Sequence, residues 1–90
     1  MSRRERIEIT LHGGRPWGFS IKGGWESNKP LVISKLEIGG KAEGGGLFVG
    51  DVVHSINNVL LNGMRDEAIQ LVKASQQNLV MEIERYGHYI

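Results

Sequence analysis

From Arg6 to Leu11 the chain alternates, with Ile7, Ile9 and Leu11 set against Arg6, Glu8 and Thr10. Successive side chains of a strand point to opposite faces, so this period of two predicts a half-buried strand. "HGG" ends it. Phe19 and Ile21 flank Ser20 as a second strand closed by Gly23 and Gly24, and "WESNK" reads as polar loop. Pro30 then opens "LVISKL", a run apolar enough to predict a third strand buried on much of both faces. "EIGGKAEGGG" is punctuation with room for one helical turn near Lys41 to Glu43. "DVVHSI" is expected to be a fourth strand and "VLL" a short fifth. Between them Asn57 and Asn58 predict a tight turn, since asparagine tolerates the left-handed backbone such turns need.

The period changes in "MRDEAIQLVKAS", residues 64 to 75, where Met64, Ala68 and Leu71 follow i, i+4, i+7 spacing. Asp66 and Glu67 fall in the first turn, where the helix dipole favours acids. This is the one strong helix. A last strand, "NLVMEIER", turns Leu79, Met81 and Ile83 inward against Glu82 and Glu84. The sum is an α+β fold: a small, partly rolled antiparallel sheet or barrel of five to six strands capped by two helices. One domain over residues 5–86 accounts for it, with a short tail at 87–90; no repeat or linker is visible.

Composition narrows the chemistry. Thirteen glycines in 90 residues are about double the usual share, which points to turns and close backbone approaches. The absence of cysteine excludes disulfides, zinc-thiolate sites and thiol nucleophiles, and permits a reducing location. Apolar stretches fall far short of a membrane span, and no apolar core follows "MSRRERIEI" as a secretory leader would require. A net charge of +1 with interleaved signs argues against nucleic acid as a partner. The cluster of Arg3, Arg4 and Arg6 beside Glu5 and Glu8 reads as a solvated strand edge, with a weak contact to anionic lipid as the alternative.

No catalytic set assembles. Gly40-Lys41 is followed by Ala42 rather than Ser or Thr, and Lys35 stands where a phosphate loop needs its first glycine. Val49 likewise occupies the third glycine position of a dinucleotide pattern that Gly44 and Gly46 would begin. His12, His54 and His88 are scattered, so no metal is expected; His54 reads as a satisfied strand histidine. Ser55 beside it points to the opposite face and cannot pair with it as a nucleophile. No cofactor is expected and the chain does not read as an enzyme.

"GGRPWGFSIKGG", residues 13 to 24, suggests binding instead. A loop that turns sharply at Gly18 can aim successive backbone N–H groups into one concavity, which binds anions without a charged side chain. Trp17, Phe19 and Ile21 offer an apolar lining, and Arg15 adds a positive field. The free C-terminus of a peptide ending in an apolar residue suits such a site. On the helix, Arg65, Ile69 and Val72 form a second stripe beside the core stripe, able to line a groove against an exposed edge of the second strand. An extended peptide would add to that edge as a further strand. Two readings stand for Arg65: a solvated arginine whose clash with the helix dipole Asp66 and Glu67 offset, or a donor to a ligand.

These residues resemble a PDZ domain over nearly the whole chain. "PWGFSI" is similar to the family's carboxylate-binding loop, "GGKAEGGGLFVGDVVHSINNVLL" to its central segment, and "EAIQLVK" to its groove helix. The "PWGF" form resembles Shroom-family PDZ domains, with PDZ-LIM proteins as the less similar alternative. The resemblance implies a cytoplasmic scaffold module associated with the actin cytoskeleton or cell junctions. It implies that Arg15, Trp17, Gly18 and Phe19 hold a terminal carboxylate. Trp17, Phe19, Ile21, Ile69 and Val72 would form the pocket for the last side chain. Ser20, Lys22, Ser34 and Arg65 would contact the residues before it. Arginine at position 65 departs from the best-known pattern; because it only donates, an acidic or hydroxyl residue is expected two before the ligand's end. Asn58, where the family usually has glycine, and His54, where it has a leucine-like residue, are smaller departures. Membrane contact is expected to be indirect. Ile90, at the chain's end, could occupy a neighbour's groove, although His88 would then face Arg65. Structural self-association, or docking of an internal segment or a lipid surface, is the alternative function.

Overall fold

The computed structural model of the chain describes residues 2–88, and the side chains of residues 4–86. Nine elements follow one another: β1 (Ser2–His12), β2 (Phe19–Gly24), a 3-10 turn (Trp25–Ser27), β3 (Lys29–Leu36), α1 (Lys41–Gly44), β4 (Val52–Ile56), β5 (Val59–Leu60), α2 (Arg65–Ala74) and β6 (Asn78–His88). The strands form one antiparallel sheet in the order β1-β6-β4-β3-β2, with β5 paired to β4. The α+β architecture read from the sequence is therefore present, with six strands. Closure into a barrel is not: β1 and β2 stand at opposite ends of the strand order and do not pair with each other.

The alternating strands bury one face each. Leu11, Ile33, Ile56, Leu79, Met81 and Ile83 meet in the core, joined by Ala68 from α2. Burying a side chain of that size contributes about 1.5–3 kcal/mol, so a core of this kind stabilises a small domain despite its ordering entropy. In β3 the expectation of two buried faces is corrected. Leu31 and Ile33 are buried and Leu36 is half-buried against the core, but Val32 and Ser34 are half-exposed, because no layer covers the outer side.

"WESNK" is more ordered than a polar loop. Its 3-10 turn ends at Asn28, whose positive φ of 54° carries the chain into β3. The β4–β5 turn falls at Asn57 and Asn58 as expected, at φ 50° and 67°. Asn57 also ties this turn to its neighbours. Its amide donates to the Val80 carbonyl at 2.7 Å, its Oδ1 accepts from Val80 N–H at 2.9 Å, and its Nδ2 donates to Ser75 Oγ at 2.7 Å. An asparagine side chain thus does work that glycine in the same place could not.

β6 does not stop near Arg85 but continues to His88, because β1 extends to Ser2 and supplies its partner there. Residues 87 and 88 therefore continue β6. Ile90 lies outside the described residues.

Glu84 was expected to face solvent and is buried. Its Oε1 lies 2.6 Å from His54 Nε2 and its Oε2 3.1 Å from Arg4 Nε, so neighbouring side chains cover it. The hydrogen bond from His54 holds the Glu84 carboxyl below its ordinary pKa, against the opposing effect of burial and with help from Arg4 and Arg6. His54 reaches it from a β-bulge between Val53 and Ser55. Next to it, Arg85 donates twice to the buried Asp51, at 2.8 Å each, and lies 4.1 Å from the Phe48 ring centroid.

Candidate functional site

β2 ends the sheet, so one of its edges has no strand beside it. The bond from Glu37 N–H to the Gly18 carbonyl (2.9 Å) flanks the facing pair Phe19 and Leu36. In that register Phe19 turns its own N–H and C=O away from β3 and onto the free edge. α2 packs alongside that edge.

The loop before β2 is fixed by its carbonyls. Gly18 C=O accepts from Glu37 and Trp17 C=O from Ala42, both at 2.9 Å, while Lys41 Nζ donates to the carbonyls of Gly13 and Gly14. Gly13 and Gly14 in turn donate to the Gln77 carbonyl. With those carbonyls engaged, the amides of Arg15, Trp17 and Gly18 are left without an acceptor among the described residues. Gly18 sits at φ 83°, a backbone conformation that a side chain would strain. The loop is thus a row of spare donors held from behind.

Two hollows follow along this edge. The larger, about 860 Å³ and wide open, is lined by the 15–19 loop together with Glu37, Gly40 and Val72. The second, about 330 Å³, is lined by Phe19, Ser20, Ile21, Ile69, Val72 and Lys73. Phe19, Ile21, Ile69 and Val72 are therefore brought together around one apolar cavity. Trp17 is not with them. Its ring is 4 % exposed and belongs to the core, where it anchors the loop and touches only the first hollow.

The residues named for the upstream part of a ligand are spread out. Ser20 lines the apolar cavity. Ser34 donates its hydroxyl to the Ser20 carbonyl at 3.3 Å and lines neither hollow of the groove. Lys22 lines a separate hollow of about 350 Å³ on the β2–β3 hairpin. Arg65 is the first residue of α2, exposed, with no ion-pair partner among the described residues. Its backbone N–H lies 3.4 Å from Glu26 Oε1, and Trp25 N–H donates to Gly63 C=O at 2.7 Å. Those two bonds join the β2–β3 turn to the start of the helix.

Sequence reading missed Lys41, Glu37 and Lys73. Lys41 also lies 5.8 Å from the Trp17 ring centroid, so one lysine supports both the loop backbone and its anchor. Nothing in local periodicity links residue 41 with residues 13 and 14; the contact exists only once α1 is placed.

A sequence model of the PDZ domain matches residues 6–84. The chain belongs to the PDZ domain family. It is 48 % identical over 80 residues to protein Shroom2 of Homo sapiens, covering 88 % of this chain and 5 % of that protein. It is also 48 % identical over 81 residues to human protein Shroom3, covering 88 % and 4 %. Identity to PDZ and LIM domain protein 5 of Rattus norvegicus is 42 % over 78 residues, covering 86 % and 13 %. The chain thus spans a small part of the length of each relative. PDZ domains are protein-interaction modules, and the Shroom and PDZ-LIM likeness expected from "PWGF" holds.

Proposed function

We propose that this PDZ domain binds the free C-terminal peptide of a partner protein, added as a strand between β2 and α2. The observation that carries the reading is the unpaired β2 edge, which runs from spare loop amides into an apolar cavity. In this arrangement the amides of Trp17, Gly18 and Phe19 hold the terminal carboxylate, and Arg15 supplies positive charge against Glu37. Phe19, Ile21, Ile69 and Val72 receive the last side chain. Arg65, at the far end of the groove, donates to an acidic or hydroxyl residue two before the last.

One buried aliphatic side chain contributes about 1.5–3 kcal/mol. Strand hydrogen bonds add about 1 kcal/mol each and carboxylate bonds about 1.5–3 kcal/mol. Ordering the peptide offsets several kcal/mol. What remains is about −8 kcal/mol, a micromolar complex. Such affinity suits a scaffold built from several weak links, in the cytoplasmic, cytoskeletal or junctional setting that likeness to Shroom and PDZ-LIM proteins implies. Titration with a peptide as free acid and as C-terminal amide tests the reading. The amide is expected to bind at least about tenfold more weakly, the loss of one charge-assisted bond; equal affinity overturns it.

A further inference from the structure

One asparagine of the chain precedes a glycine: Asn62, between β5 and α2. The others, Asn28, Asn57, Asn58 and Asn78, precede lysine, asparagine, valine and leucine. When the next residue's backbone nitrogen attacks an asparagine side chain, that residue's Cβ crowds the approach, and glycine has none. Asn62 is exposed, so water reaches it.

The side chain is also held for that attack. Met64 N–H donates to Asn62 Oδ1 at 2.9 Å, which curls the side-chain amide back over the Gly63 peptide. A donor on that oxygen stabilises the negative charge it gains as a nitrogen adds to Cγ. The attacking group is free: Gly63 N–H has no acceptor among the described residues. The same turn is a joint. Gly63 C=O accepts from Trp25 N–H at 2.7 Å, which ties the β2–β3 turn to the approach of α2, and Asn62 N–H donates to Glu67 Oε1 at 2.9 Å.

From this we infer that Asn62–Gly63 is a self-modifying site: it deamidates spontaneously, and the isoaspartyl product uncouples the β2–β3 turn from α2. The Gly63 nitrogen bonds to Asn62 Cγ and the Cγ–Nδ2 bond breaks. Ammonia leaves with the proton from Gly63 N–H, and nothing is oxidised or reduced. Water then opens the cyclic imide at one carbonyl or the other, giving aspartate or isoaspartate. Isoaspartate routes the chain through Cγ, which adds a methylene to the backbone ahead of Gly63 and frees a carboxylate near Glu67. The Gly63 carbonyl then no longer meets Trp25 N–H. Because Arg65 follows two residues on, the change falls at the end of the groove described above, although the chemistry is independent of what the groove binds.

The test holds the isotope-labelled protein in warm, mildly alkaline buffer and follows it by peptide mapping, isoaspartyl methyltransferase labelling and amide hydrogen exchange. Residue 62 is expected to convert at least about tenfold faster than any other asparagine, the rate equivalent of one hydrogen bond to the reacting oxygen. Asn62→Gln, whose longer side chain must close a larger ring, should stop the conversion. In the isoaspartyl form the Trp25 amide should exchange about tenfold faster than in the parent, as a freed hydrogen bond allows. Asn62→Asp, which brings the charge without the extra methylene, should leave that amide protected. Conversion at residue 62 no faster than at Asn57 or Asn58 overturns the inference, as does ammonia release undiminished in Asn62→Gln. An isoaspartyl product whose Trp25 amide stays as protected as in the parent also overturns it. So does equal loss of protection along β6, which would be general unfolding rather than release of one joint.

Discussion

The two outer strands of the sheet solve the edge problem in opposite ways. β1 runs eleven residues alongside β6 in unbroken register, and two of its arginines reach acids diagonally across the pair: Arg6 to Glu82 at 2.6 Å, Arg4 to Glu84 at 3.1 Å. β2 is six residues long, interrupted by bulges, flanked by glycines, and its one lysine, Lys22, has no ion-pair partner among the described residues. Charged side chains along β1 discourage further pairing, whereas the free edge of β2 faces a groove beside α2. The same sheet is thus finished on one side and left available on the other. Stability should be concentrated near β6, and binding near β2.

The most severe way to break this contrast is at Asp51, 1 % exposed beneath the β4–β6 pairing. Asp51→Ala removes both bonds to Arg85 and the acceptor of Phe48 N–H, leaving a partly buried guanidinium without its acid. Losing one partner of such a pair costs about 3–5 kcal/mol, a large share of a small domain's stability. Urea unfolding should show a large drop in midpoint. A midpoint within error of the parent would mean that the β6 side is not where stability resides.

How much of this was legible beforehand follows from the range of each interaction. Alternation placed Ile7, Ile9 and Leu11, and helical spacing placed Ala68, because those signals repeat within a few residues. Phe19, Ile21, Ile69 and Val72 gather around one cavity for the same reason: each lies on a stripe. Apolar character alone does not tell Trp17, which packs in the core, from the residues around the cavity. The burial of Glu84 was invisible because it depends on His54 and Arg4, 30 and 80 positions away. Lys41 escaped too; a lysine that serves distant carbonyls looks like any surface lysine.

Lys41 offers the next test, now on the open side. Lys41→Ala removes the donor to Gly13 and Gly14 carbonyls but leaves the bonds from Ala42 and Glu37 to the loop. The cost in stability should be about 1–2 kcal/mol, the scale of hydrogen bonds to a charged group. Peptide affinity should fall by about threefold to tenfold as well, since less rigid amides must be ordered on binding. Calorimetric titration beside a thermal melt separates the two effects. A stability loss with unchanged affinity would show that the loop holds its shape without this lysine.

The smallest effect returns to the finished side and appears only in acid. Because His54 and Arg4 hold the Glu84 carboxyl below its ordinary pKa, the unfolded chain takes up that proton first as pH falls. The contribution of Glu84 is therefore fully present above the ordinary carboxylate pKa. It is lost progressively as pH falls toward the depressed value of the folded state. Glu84→Gln carries no titrating group, so the difference in urea midpoint between it and the parent should narrow steadily across that acid range. A difference that stays constant would mean that Glu84 acts by shape and hydrogen bonding alone. The paired charges of β1 and β6 would then guard the edge without adding to its stability.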